Sequence, residues 1–140
     1  YGVAGDITQV NTAVFASLTA QDFVPVLCAI THDKNGQLLN TNADTIAAQV
    51  AMAMSKEYDV TLFYCFEHAG VLKDINKPED VIGELSKEAT ENYTAAGVIH
   101  QGMVPKLHNG FDALQNGVKK VVVSNVAALL DKNAPKTTLI

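Results

Sequence analysis

Three runs rich in β-branched and aromatic residues, at positions 23–30, 60–66 and 119–124, are separated by longer stretches whose apolar residues recur at helical spacing. This alternation limits the fold more than any other feature. Near-continuous apolar runs suit strands buried on both faces, and strands that alternate with helices build parallel sheets. The expected architecture is α/β, a three-layer αβα sandwich with a mostly parallel sheet. At 140 residues the chain amounts to one domain with a sizeable core.

Taken in order, Val10, Ala13, Val14, Ala16 and Leu18 predict an amphipathic helix over 7–20. The run 23–30 reads as a strand buried on both faces, with Pro25 near its start where proline is tolerated. Asp33, Lys34, Asn35 and Gly36 form a turn by composition. A helix over 43–55 carries Ile46, Ala48, Val50, Ala51 and Met52, so it must be covered on more than one side. The run 60–66 is a second strand, and 73–80 is turn-like. Ser86 caps a helix over 87–96 closed by Gly97. Pro105 suits the first turn of a helix reaching about 116, ended by Gly117. A third buried strand at 119–124, a short helix at 127–132 and an extended end at 137–140 complete the pattern.

Composition narrows the function. Hydrophobic residues at 48% and charged ones at 18% suit a globular chain, and no apolar run reaches the length of a membrane span. With a net charge of −5 and scattered lysines, no basic stripe offers itself to nucleic acid. Neither a nucleic-acid nor a membrane partner is expected, and Cys28 and Cys65, inside apolar runs, read as small buried thiols of a cytoplasmic protein. With His32 and His68 they make a Cys2His2 set by residue type. Four strand residues, however, separate Cys28 from His32 by about 13 Å, too far to share one ion. Walker, dinucleotide and nucleophile-elbow motifs do not occur.

The stretch 36–44 then stands out. If 38–42 is a strand, period-two alternation puts the amides of Asn40 and Asn42 on one side and Thr41 on the other. Asp44 falls where the next helix begins, where the free N–H groups favour an anion. A plain helix cap explains Asp44 equally well. The strand exit at Glu67, His68, Ala69 and Gly70 lies at the edge where open parallel sheets bind ligands. Lys106 sits in a first helical turn, which the dipole disfavours for a cation; a lysine aimed across a cleft at a phosphate has a reason to be there, and a solvated surface lysine fits the spacing too. Phosphoryl transfer needs positioning and positive charge more than covalent help. Lys106, with Asp44 to hold it and Asn40 to orient an acceptor, has the required side chains.

These residues resemble a known family. The run from Asn40 to Asp44 (Asn-Thr-Asn-Ala-Asp), preceded by Gly36-Gln37 and followed by Gly102-Met103, Pro105-Lys106 and the segment 113–123, is similar to the C-terminal half of the acetylglutamate kinases of the amino-acid kinase superfamily. Gly5-Asp6-Ile7, Val24-Pro25-Val26 and Gly70-Val71-Leu72 add collinear support. The resemblance implies ATP- and Mg²⁺-dependent phosphorylation of the γ-carboxylate of an N-acylglutamate, a step of arginine biosynthesis. By the same token Asp44 and Lys106 are catalytic, with Asp44 orienting lysines and Lys106 stabilising the moving phosphoryl. Asn40 and Asn42 bind substrate. The nucleotide contacts are Glu67, His68, Ala69, Gly70, Val71 and Leu72, with Val98, Ile99, His100 and Gly102.

It further implies that residues 1–140 are the nucleotide-binding half of a longer kinase, an expectation that Tyr1 at the first position shares. The N-terminal half, with its glycine-rich phosphate loop and lysine, is then the natural partner, the chain alone is inactive, and homo-oligomerisation is expected. Another member of the superfamily and a non-catalytic nucleotide-sensing module are the alternative readings.

Overall fold

The structure is a computed structural model that describes residues 3–100 and 102–140. Its main sheet has four strands in the order β3 (Thr61–Cys65), β5 (Lys120–Ser124), β6 (Thr137–Leu139) and β4 (Glu84–Leu85). Two of the three pairings, β3 with β5 and β4 with β6, are parallel, and β5 with β6 is antiparallel. The expected mostly parallel α/β sheet is therefore present, and the antiparallel β5–β6 pairing makes it mixed. Helices α2 (Ala43–Met54) and α4 (Val104–Gln115) pack on each other and on β3 and β5, α3 (Lys87–Ala95) leans on α4, and the short α5 (Ala127–Leu130) joins β5 to β6.

Alternation decides the core. Leu62 and Tyr64 of β3, Val121 and Val123 of β5 and Leu139 of β6 meet Ala48 and Ala51 of α2 and Leu107 and Phe111 of α4 in one cluster. Leu107, Gly110, Phe111 and Ala113 mark the buried stripe of α4, and each large apolar side chain sealed there contributes about 1.5–3 kcal/mol. Gly110 lets the helix come close: a Cβ there would sit 2.6 Å from Leu139 Cδ1, 3.2 Å from Val121 Cγ1 and 3.6 Å from Tyr64 Cε2. The helix ends follow the expected punctuation. The Ser86 side chain accepts from Ala89 N–H, Pro105 lies in the first turn of α4, and Gly97 and Gly117 take positive φ beyond their helices.

The first forty residues differ from expectation. The helix expected over 7–20 is only α1 (Thr12–Thr19), and it buries none of its residues. The β-branched Ile7, Thr8 and Val10 disfavour helix, and the chain ahead of them instead runs beside β2 (Leu38–Asn40), with Gly5 N–H and Val3 C=O bonded to Asn40. The strand expected over 23–30 does not form. Only β1 (Ile30–His32) is a strand, paired antiparallel with β2 as a separate hairpin. Among the described residues no backbone hydrogen bond reaches 24–28, and Val24 and Val26 are 85% and 92% exposed. A strand needs a neighbour, and among the described residues 24–28 have none.

The thiols are a further correction. Cys28 and Cys65 are both exposed, because Cys28 lies on that open run and Cys65 points away from α2 and α4 on the edge strand β3. The two-residue β4 was not foreseen.

Candidate active site

The connection from β2 to α2 builds the centre of the site. Thr41 is buried, its hydroxyl shared with Thr31 (2.7 Å) and donated to the Gly5 carbonyl (3.1 Å), while Asn40 and Asn42 are exposed. The strand stops at Asn40, two residues earlier than expected, yet the in-and-out alternation persists through Asn42. The cap of α2 is Asn42, whose Oδ1 accepts from Thr45 N–H at 3.1 Å. Asp44 is therefore not the cap. Its carboxylate is left for another partner.

That partner is Lys106, whose Nζ donates to Asp44 Oδ1 at 2.5 Å. The first turns of α2 and α4 meet at this ion pair, and Asn109 Nδ2 donates to Thr45 Oγ1 at 3.3 Å one turn further along α4. The side chains of Lys106 and Asp44 are 16% and 30% exposed, so the pair is shielded but reachable from solvent. Beneath it lies Tyr64, with Lys106 Nζ 4.8 Å from the ring centroid and the phenol donating to the Asp44 carbonyl at 3.1 Å. Burial, and then the Asp44 charge, push the Tyr64 phenol well above the usual tyrosine range, so it keeps its proton and remains a donor.

A second group of predicted residues converges at the C-terminal edge of β3. His68, Gly70, Val71 and Leu72 line a cavity of about 50 Å³ together with Val98, Ile99 and His100; Phe66, Ile75 and Met103 complete it. Glu67, Ala69 and Gly102 lie outside that lining. Glu67 instead faces solvent and meets His68 Nε2 at 3.5 Å. Met103 precedes α4 and Lys106 follows three residues later, so the ion pair is about one helical turn from the cavity wall.

Two residues whose part in the site was not expected fix this loop. The Thr137 hydroxyl accepts from Val71 N–H (2.8 Å) and donates to the Ile82 carbonyl (2.7 Å). Ser124 Oγ lies 3.0 Å from the Ala69 carbonyl and 3.1 Å from that of Pro135. Gly70 is squeezed between Val81 and Thr137: a Cβ would meet Val81 Cγ1 at 2.5 Å and the Thr137 backbone nitrogen at 3.0 Å. The loop therefore tolerates no side chain at that point. Among the described residues no group of three or more His, Cys, Asp or Glu side chains is arranged to hold a metal ion.

A parallel-sheet edge with a loop pinned at its rim, beside a shielded Asp–Lys pair at two helix starts, defines a class of fold that comparison makes specific. Residues 2–125 match the amino acid kinase family, and the chain belongs to that family. It is 47% identical over 129 residues to the acetylglutamate kinase of Parabacteroides distasonis, covering 92% of this chain and 51% of that protein. It is 46% identical over 136 residues to the acetylglutamate kinase of Bacteroides thetaiotaomicron, covering 97% and 53%. Among solved structures, the smu.665 protein of Streptococcus mutans UA159 superposes with a TM-score of 0.76 at 28% identity, over 90% of this chain and 49% of that one. The chain spans about half the length of the curated relatives it matches.

Proposed function

We propose that these residues form the nucleotide-binding C-terminal half of an acetylglutamate kinase, which transfers the γ-phosphoryl of Mg·ATP to the γ-carboxylate of an N-acylglutamate. The observation that carries the reading is the Asp44–Lys106 pair at the joined starts of α2 and α4. A metaphosphate-like transferring group needs a cation held in place, and Lys106 supplies one whose position Asp44 sets. Asn40 and Asn42, exposed just before α2, serve the acceptor. The cavity lined by His68, Gly70, Val71, Leu72, Ile99 and His100 serves the nucleotide, with Mg²⁺ arriving as part of Mg·ATP.

In this reading the exposed run 23–30 is completed by the other half of the kinase domain, and 1–140 alone does not turn over. A hollow of about 230 Å³ between Leu27, Cys28 and the α2 residues Ile46, Ala47 and Val50 fits a segment awaiting cover.

The test uses the longer protein. Lys106→Ala should leave Mg·ATP binding by calorimetry within about threefold and lower kcat about 10²–10³-fold, the usual loss for one charge-stabilising donor. An unchanged kcat would remove Lys106 from the chemistry. Tight Mg·ATP binding by the unsubstituted protein without turnover would favour the nucleotide-sensing alternative. Robust turnover by residues 1–140 alone would overturn the half-domain reading.

A further inference from the structure

Tyr64 brings a hydroxyl into the core beneath the ion pair, and simple packing does not account for its chemistry. It is 3% exposed and belongs to the core cluster. A phenylalanine or leucine would fill that space without a hydroxyl to satisfy. The hydroxyl instead reaches 3.1 Å to the carbonyl of Asp44, a carbonyl that already serves the helical bond of α2. The bond adds nothing to secondary structure, but it ties the first turn of α2 to β3.

The ring does the corresponding job for α4. Lys106 and Gly110 lie four residues apart on one face of that helix, and both come over Tyr64: the ammonium at 4.8 Å from the centroid, and a Cβ on Gly110 at 3.6 Å from Cε2. The glycine gives the ring room, and the ring face carries the same cation that the Asp44 carboxylate holds. Both partners of the ion pair therefore lean on one rigid side chain, itself held in the strand that runs parallel to β5.

We propose that Tyr64 is a positioning residue for phosphoryl transfer, its hydroxyl fixing Asp44 and its ring face fixing the Lys106 ammonium. The inference rests on the assignment of Lys106 to the transferring phosphoryl. It adds a division of labour: the hydroxyl holds the Asp44 backbone carbonyl, and with it the helix start that carries the carboxylate, while the ring sets the cation.

Steady-state kinetics of the longer protein test it with Tyr64→Phe, Tyr64→Leu and Lys106→Ala, singly and with Tyr64→Phe combined with Lys106→Ala. Tyr64→Phe keeps the ring and should lower kcat about 5–10-fold with both KM values within twofold, and Tyr64→Leu should lower it about 50–100-fold, as expected for misplacement within a reactive geometry. In the Lys106→Ala background Tyr64→Phe should change kcat less than about twofold, because residues acting through one another are non-additive. A purely structural role would instead lower Tm without a kcat effect specific to the Lys106 background. If Lys106→Ala is inactive while Tyr64→Phe and Tyr64→Leu match the unsubstituted enzyme, Tyr64 has no positioning role. If Lys106→Ala is itself fully active, the assignment of Lys106 fails, and this proposal with it.

Discussion

Two apolar runs meet opposite fates in this molecule. In β5, Val121, Val122 and Val123 are fully buried, with a strand on each side and α4 packed against one face. In 23–30, Phe23, Val24, Val26 and Leu27 are exposed, with no strand paired to 24–28 among the described residues and a hollow between the run and α2. Burial belongs to a run together with its partners, and a sequence pattern reports only the run. The first is a finished interior, and the second has the composition of one without its other side.

Substitutions can break this contrast. An aspartate at Val121 places a carboxylate in a sealed core and should cost more than about 4 kcal/mol, enough to prevent cooperative folding. Loss of a sigmoidal thermal transition in Val121→Asp is the expected observation. The same change at Val26 should alter the Tm of residues 1–140 by an amount equivalent to less than about 0.5 kcal/mol, the usual range for an exposed position. In the longer protein it should be far more costly if the run is covered there. Equal tolerance in both would show that nothing covers it.

A finer probe sits at the loop beside the cavity. Thr137→Val keeps the shape but leaves Val71 N–H and the Ile82 carbonyl without their shared partner, at a cost of about 1–3 kcal/mol. Denaturant melts should show the loss, and Mg·ATP affinity should fall with it if this loop holds nucleotide. The smallest effect belongs to the β1–β2 turn. There the Asn35 N–H, bonded to the Asp33 carboxylate at 2.7 Å, chiefly holds that carboxyl below the usual range, and the Gln37 N–H assists. The folded pKa is the depressed one, so the turn's stabilisation is present above the ordinary aspartate range and fades as pH falls through the folded value. Amide shifts of Asn35 and Gln37 should titrate together at that lower pH, and Asp33→Asn should abolish the titration.

Much of the second half of the chain was legible because its signals are local. Ser86 before a helix, Pro105 in a first turn, Gly97 and Gly117 after helices and the apolar runs of β3 and β5 each carry their meaning within a few residues. Asp44 and Lys106 were legible as chemistry, and the structure brings them together across sixty-two positions. Asn42 took the cap that Asp44 also suits, a choice decided by which carboxyl or amide reaches Thr45 N–H. Tyr64, Ser124 and Thr137 were not legible, since their hydroxyls act on residues twenty, fifty-five and sixty-six positions away. The two residues of β4 are too few to show a period, and α1 was overextended because Val10, Val14 and Leu18 keep helical spacing across the residues that precede it.

The chemistry assigned to this site depends on Asp44 serving Lys106 rather than the fold. The most direct measurement is kcat of Asp44→Asn in the longer protein, read beside its Tm. The side chain keeps its size and Asn42 still caps α2, so Tm should shift by less than about 3 °C while kcat falls about 10²-fold or more. A substituted protein with unchanged turnover would contradict the central claim and return Asp44 to the role of a surface carboxylate at the start of a helix.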